Sequence, residues 1–170
     1  MASLEDRIAR LEALEAIRQL KARYAHLADA KYTADHRRKP EQEMNAVAWQ
    51  QALCFTEDAV WDGGPTFGTV RGRQQLYEWF RSGPWTFAMH YFLNPVINVE
   101  GDRGSGAWML WEAATLARNN TPVLISALTE DEYTKVDGAW LMSRMTFTLR
   151  FMVPFKGQDW GELRNAPFQP

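Results

Sequence analysis

The stretch "RYAHLADAKY", residues 23–32, sets a phenol, an imidazole and a carboxylate within six positions of what otherwise reads as an amphipathic helix: Tyr24, His26 and Asp29. Groups of this kind trade protons when they face a pocket, and an imidazole is the most versatile of them near neutral pH. A second histidine, His90, opens the long apolar run "MHYFLNPVINV". An imidazole in aromatic surroundings, with an unperturbed pKa near 6.5, can take a proton from a carbon made acidic by a neighbouring carbonyl. A carboxylate on the other ring nitrogen would fix the tautomer, and a phenol could donate to a developing enolate oxygen. Each residue also has a plain structural reading. Tyr24 can be a core tyrosine with a satisfied hydroxyl, Asp29 a solvated or capping residue that pairs with His26, and His90 a satisfied core group. At about 100° per residue, Asp29 projects roughly 140° away from Tyr24, so the two reach one pocket only from its two sides or through a distorted last turn.

These residues must be positioned by the elements around them. Ser3 and Asp6 form a capping-box pattern, and Leu4, Ile8, Leu11, Leu14, Ile17, Leu20, Tyr24 and Leu27 then recur at helical spacing. One long helix is expected. Residues 33–40 are polar and end in Pro40, after which "EQEMNAVAWQQALCF" reads as a second helix. From residue 57 short apolar runs alternate with turn residues, the signature of strands. "DAVWD" and "FGTV" flank Gly63-Gly64-Pro65 as a hairpin, and "GRQQLYEWFRS" is a short helix stopped by Gly83-Pro84. Four longer strands are expected near 86–99, 106–117, 122–135 and 139–152. In the last of them, alternation sets Leu141, Ser143, Met145, Phe147 and Leu149 on an apolar inner face. Trp140, Met142, Arg144, Thr146, Thr148 and Arg150 fall on the other. Helices first and a sheet after them mean an α+β fold, a curved, mostly antiparallel sheet wrapped around the N-terminal helix as a cone whose open end is a pocket. A single domain over residues 1–152 and a C-terminal tail over 153–170 follow.

Composition narrows the partners. Lys plus Arg number 19 against 21 for Asp plus Glu, so there is no basic field for a phosphate backbone, and nucleic acid is not an expected partner. The run His36-Arg37-Arg38-Lys39 reads as a solvated loop. One cysteine, Cys54, forms no internal disulfide, and the N-terminus carries no signal-like apolar stretch, so a cytoplasmic location is expected. No apolar run approaches the roughly 20 residues of a bilayer span, so no membrane partner is expected. The three histidines have no metal-ligand spacing, and there is no GxGxxG, P-loop or GxSxG, which leaves chemistry without metal or cofactor as the expectation. Eight tryptophans and nine phenylalanines, concentrated after residue 49, fill a thick core or line an apolar cavity.

The order of elements, with "EAIRQLKARYAHLADAKY", "LCFTEDAVWDGG", "FAMHYFLNPVINVEGD" and "DEYTKVDGAWLMSRMTFTLRF", resembles the SnoaL-like branch of the nuclear transport factor 2-like superfamily over about residues 5–152. In motif it is most similar to bile acid 7α-dehydratase, with scytalone dehydratase and hexachlorocyclohexane dehydrochlorinase as more distant relatives. The resemblance implies that a catalytic tyrosine falls on Tyr24, a catalytic aspartate on Asp29, and a catalytic histidine on His90 of the Met89-His90 pair. A strand carboxylate falls on Glu112 of "WMLWE", where the dehydratase has aspartate. The dehydrochlorinase likewise pairs a helix aspartate with a strand histidine. An inward arginine of some relatives has no equivalent here, and segment 33–48 is longer, so the substrate does not carry over.

The expected function is therefore a cofactor-independent dehydratase-type lyase acting on a hydrophobic, carbonyl-bearing polycyclic or terpenoid-like molecule. His90 would remove the α-proton, Asp29 orient it, Tyr24 stabilise developing charge and Glu112 assist the leaving oxygen. Trp61, Trp85, Phe87, Phe92, Trp108, Met145 and Phe147 are the expected substrate-binding walls. Register is the open point for Glu112, expected opposite residue 92–94, some 7–13 Å along the strand from His90 at about 3.3 Å per residue. An isomerase or cyclase uses the same groups, and a non-catalytic binder or oxygenase β-subunit-like module is the alternative of another class. A homo-oligomer, trimer or dimer, is expected by the same resemblance, with Met142, Arg144, Thr146 and Thr148 in the contact.

Overall fold

The computed structural model describes residues 3–155. Helix α1 (Leu4–Asp29) starts at the capping box: the Ser3 hydroxyl accepts from the Asp6 backbone and the Asp6 carboxylate accepts from the Ser3 backbone. Its buried positions Ile17, Leu20, Lys21, Tyr24 and Ala28 lie on one face of the helix, the face that meets the sheet. Leu4, Ile8 and Leu11, nearer the start, stay exposed. Helix α2 (Glu41–Ala52) ends earlier than the pattern implied, because Cys54 turns inward and Phe55 already begins β1 (Phe55–Asp62). A one-turn helix, α3 (Gly64–Phe67), links β1 to β2 (Thr69–Arg71), and α4 (Arg73–Ser82) follows. Four long strands complete the chain: β3 (Trp85–Glu100), β4 (Arg103–Leu116), β5 (Pro122–Val136) and β6 (Ala139–Pro154).

The strands form one six-stranded curved sheet in the order β2-β1-β6-β5-β4-β3. Every pairing is antiparallel except β1 with β6, which is parallel. The sheet does not close, so the cone has two free edges, at β2 and β3. Helix α1 packs on β3 and β6, and α4 packs on β1 and α2, filling the concave side.

Three irregularities decide which side chains face the core. In β3 there is one extra residue relative to β4, because Leu93 pairs with Met109 while Val96 pairs with Ala107, so that 94 and 95 together face position 108. Asn94 sits at φ 48°, and Pro95 has no N–H to give to the ladder. The core face of β3 accordingly switches from Ala88, His90 and Phe92 to Ile97 and Val99. In β6, Ser143 is passed over between Arg144 opposite Glu132 and Met142 opposite Tyr133. Trp140 and Met142 therefore lie inside, 7% and 0% exposed, not on the outer face that simple alternation gave them. A third shift, between Leu149 and Phe151, turns Phe151 outward. The strand β6 runs two residues past 152, so the stretch read as tail begins as sheet; residues 156–170 lie outside the described residues.

No helix among the described residues is long and apolar enough to cross a membrane.

Candidate active site

Asp29 is the last residue of α1, where the helix end meets β3. Its Oδ1 accepts twice from His90, from the backbone N–H at 3.0 Å and from the ring Nδ1 at 2.8 Å. Oδ1 already accepts the backbone N–H, so toward the ring it again acts as acceptor and Nδ1 as donor, which leaves Nε2 on the cavity side. Asp29 thus holds the ring from behind and does not itself line the cavity. His26 is exposed; its backbone carbonyl receives the N–H of Ala30 and its side chain takes no part in the dyad.

Glu112 stands directly opposite His90 in the β3–β4 ladder, closer than the residue 92–94 pairing expected from an unbroken hairpin. Two features set this register: the turn is at 101–102, with Glu100 opposite Arg103, and the extra residue at 94–95 advances the ladder by one more, without which Glu112 would face position 91 and His90 would lie on the other face. His90 Nε2 and Glu112 Oε1 are 3.6 Å apart, too far for a good hydrogen bond and near enough for a proton to pass after a small shift. Glu112 Oε1 is buried and has no hydrogen-bond partner among the described residues.

The charges are interdependent. Burial pulls the His90 imidazole down, but the carboxylates of Glu112 and Asp29 outweigh it and Lys31 opposes them, leaving the ring more basic than its ordinary 6.5. Burial pushes the Glu112 carboxyl above 4.5, Asp29 adds to that, and His90 and Lys31 only partly offset it. Glu112 is therefore a carboxyl that keeps its proton to higher pH than usual. Tyr24 is buried, and burial together with the Asp131 charge drives its hydroxyl far above the ordinary value, so it remains a neutral donor.

Around these groups lies a cavity that is open to solvent at its mouth. Tyr24, His90 and Glu112 line it, together with Trp61, Trp85, Phe92, Met145 and Phe147 of the expected walls. Trp61 lies across Gly63, where a Cβ would come within 2.5 Å of the indole, so glycine is what lets the ring lie there. Two expected wall residues lie elsewhere. Phe87 packs against Tyr32 and His36 behind the rim, with ring centroids at 5.7 and 4.2 Å. Trp108 is turned toward β5, where its indole N–H donates to the Tyr133 hydroxyl at 3.0 Å. That hydroxyl donates in turn to Asp131, whose Oδ2 also pairs with buried Lys21 at 2.7 Å.

Sequence reasoning missed several lining residues: Lys31, Tyr32, Gln51, Phe67, Trp79 and Phe80. Lys31 could have been found, since it continues the buried stripe of Tyr24 and Ala28 by one further step of three. The run His36–Lys39 is also more than a solvated loop. Arg38 donates to the carbonyls of Trp85, at 2.7 Å, and Gly83, tying residues 33–40 to the cavity rim.

Comparisons with known proteins agree with this architecture. A dehydrochlorinase of hexachlorocyclohexane, LinA type 2, superposes with a TM-score of 0.74 at 21% identity, covering 90% of this chain and 95% of that one. LinA type 3 from Novosphingobium barchaimii LL02 gives 0.73 at 21%, with 90% and 97% covered. A scytalone dehydratase-like protein from Novosphingobium aromaticivorans DSM 12444 gives 0.68 at 18%, with 87% and 91% covered. Each of these likenesses is one of fold. No curated protein sequence matches the chain. The SnoaL-like domain family matches residues 45–146, more than half of the sequence, and with the α+β cone now described the chain belongs to that family, within the nuclear transport factor 2-like fold.

Proposed function

We propose that the chain is a lyase of the dehydratase kind that needs no cofactor and acts on a hydrophobic molecule with a hydroxyl β to a carbonyl. The observation that carries this reading is the His90–Glu112 gap: a base held by Asp29 and a buried, unpartnered carboxyl face each other at 3.6 Å inside an aromatic cavity. His90 Nε2 takes the α-proton, and the electrons of that C–H bond become the new double bond. Glu112 in its acid form gives its proton to the β-hydroxyl, which leaves as water. The proton on His90 then crosses to Glu112, and both groups are reset without an outside donor. Tyr24 donates a hydrogen bond within the cavity. The aromatic walls fit a fused-ring or terpenoid-like skeleton, and the lyase names carried by the structural neighbours are consistent with the reaction class.

The test is incubation with polycyclic and terpenoid β-hydroxy ketones in deuterated water, followed by mass spectrometry. Loss of one water with a new double bond, abolished in His90→Ala, is the expected outcome. Deuterium exchange with the oxygen retained would make the chain an isomerase or cyclase, which the same pair of groups would equally serve. Binding without either change would make it a non-catalytic module.

We also propose that the chain self-associates, as a trimer or dimer, through the outer face of its sheet. Of the residues that simple alternation gave to this face, Met142 is buried within the fold, while Arg144, Thr146 and Thr148 are not buried. Met89, Tyr91, Leu93, Met109, Trp111 and Phe151 are large apolar residues that are exposed on the strands.

A further inference from the structure

Two lysines are buried among the described residues, Lys21 and Lys31, and only one of them is paired with a carboxylate. Lys21 Nζ meets the Asp131 carboxylate at 2.7 Å and the Thr129 hydroxyl at 3.1 Å, a paired and satisfied ammonium. Lys31, 7% exposed, donates to the backbone carbonyl of Phe80 at 3.1 Å, and no carboxylate among the described residues pairs with it. Burying an ammonium against one neutral acceptor is unfavourable, and two of its three N–H groups remain to be used.

A structural role accounts for part of this. Phe80 lies in the last turn of α4, where carbonyls lack helical partners, so Lys31 caps that helix and its charge suits the negative end. A neutral donor would cap the same carbonyl without the cost of burying a charge. What the cap does not explain is the side of the molecule on which the charge lies. Lys31 lines the same cavity as His90 and Glu112, and among the described lining residues it is the sole lysine or arginine. The last strand contributes the apolar Met145 and Phe147 to the wall, so among the described lining residues the cavity has no other fixed positive charge.

We propose that Lys31 is the oxyanion-binding residue of this pocket, receiving the substrate's carbonyl oxygen as it becomes an enolate oxygen. This rests on the proton abstraction proposed for His90 and narrows the substrate class to carbonyl compounds that bind with that oxygen toward Lys31. Removal of an α-proton leaves negative charge on the carbonyl oxygen, and a preplaced cation in a low-dielectric cavity stabilises that charge where a neutral phenol does so less. Tyr24, whose hydroxyl is made a weaker acid by burial and by Asp131, is suited to hydrogen bonding and not to neutralising an enolate. Burial lowers the Lys31 amine to about 8, with Glu112 and Asp29 acting to raise it and Arg38 to lower it. An anion in the cavity would add to the raising side and keep the ammonium charged.

The experiment uses 4-nitrophenol, an enolate mimic that the chain cannot dehydrate and whose neutral and ionised forms absorb differently. Bound to the wild-type protein, it is expected to ionise about one pH unit or more below its free value, as a group beside an opposite charge does. Lys31→Gln should abolish that shift, Lys31→Arg should keep most of it, and His90→Gln should leave it largely in place. A probe that binds in its neutral form, or does not bind the wild type at millimolar concentration, overturns the assignment without any variant having to fold. A shift unchanged in Lys31→Gln overturns it as well. Because the probe is not turned over, the result is independent of whether any β-hydroxy ketone is dehydrated. Conversely, dehydration by Lys31→Gln at the wild-type rate removes Lys31 and leaves the His90 reading intact.

Discussion

At the scale of single residues, the Asp29–His90–Glu112 line makes two predictions. His90→Ala removes the base and Asp29→Asn the tautomer control, so each should lower turnover by about 10²-fold or more. Both residues are only partly buried and neither fills the core, so the melting temperature of each variant should stay near that of the wild type. A large fall in melting temperature with matching loss of activity would instead make them structural. The second prediction concerns pH. Both His90 and Glu112 hold their protons more tightly in the fold than in the unfolded chain, whose ordinary values are 6.5 and 4.5. The folded state therefore binds more protons, and the stability these groups contribute is complete at low pH and declines as pH rises from about 4.5 through neutrality. Glu112→Gln removes the carboxyl and with it the main charge that raises His90, so urea unfolding across that range should show a flatter profile than the wild type. Identical slopes would sink the idea that the pair is coupled. Tyr24, Asp29 and His90 stood out in the sequence because of their types and their similarity to a known motif. Lys31 did not, because a lysine on an apolar stripe looks like a surface residue until the stripe is followed past the helix end.

At the scale of elements, the helices and the four long strands were legible because apolar runs at helical or strand spacing are set apart by turn residues. Faces within strands were not, since one extra residue exchanges the two sides and no alternation count registers it. Ser143 did this to Trp140 and Met142, and the pair Asn94–Pro95 did it to β3. The second case had a readable mark: a proline inside an otherwise apolar strand run, preceded by an asparagine, the residue type that most readily takes a positive φ after glycine. Because that bulge sets Glu112 on the same side as His90, it carries the site. Asn94→Gly keeps the left-handed position available and should leave stability and turnover near wild type. Asn94→Val forces a β-branched residue to φ 48° and should cost about 1–2 kcal/mol in urea unfolding, with turnover falling as the Glu112 register is disturbed. Equal stability of the two variants would mean that this backbone position does not fix the register.

At the scale of the whole molecule, the sheet uses only its concave side for the cavity, and the convex side must meet either water or protein. Across the ladder, Tyr91 lies opposite Trp111, Trp111 opposite Ser126, and Ser126 opposite Phe151, so four strands present one transverse row. Tyr91 is 50% exposed, Trp111 37% and Phe151 44%, and the Trp111 and Phe151 rings touch edge to face at 5.8 Å across the small Ser126. The neighbouring rows add Met89, Leu93 and Met109, making a continuous apolar patch of a kind soluble monomers seldom leave bare. A second copy offers a matching patch at no cost in sequence, since a symmetric contact reuses the same residues on both sides. Trp111 lies near the middle of the patch and, like most aromatic anchors, should carry a large share of the contact energy. Its side chain faces away from the cavity, so Trp111→Glu should break the assembly without touching His90 or Glu112. Light scattering at micromolar concentration should therefore give a trimer or dimer for the wild type and a folded monomer for Trp111→Glu. A wild-type monomer at that concentration, or an oligomer undisturbed by the charge, would show that the convex face is not where copies meet.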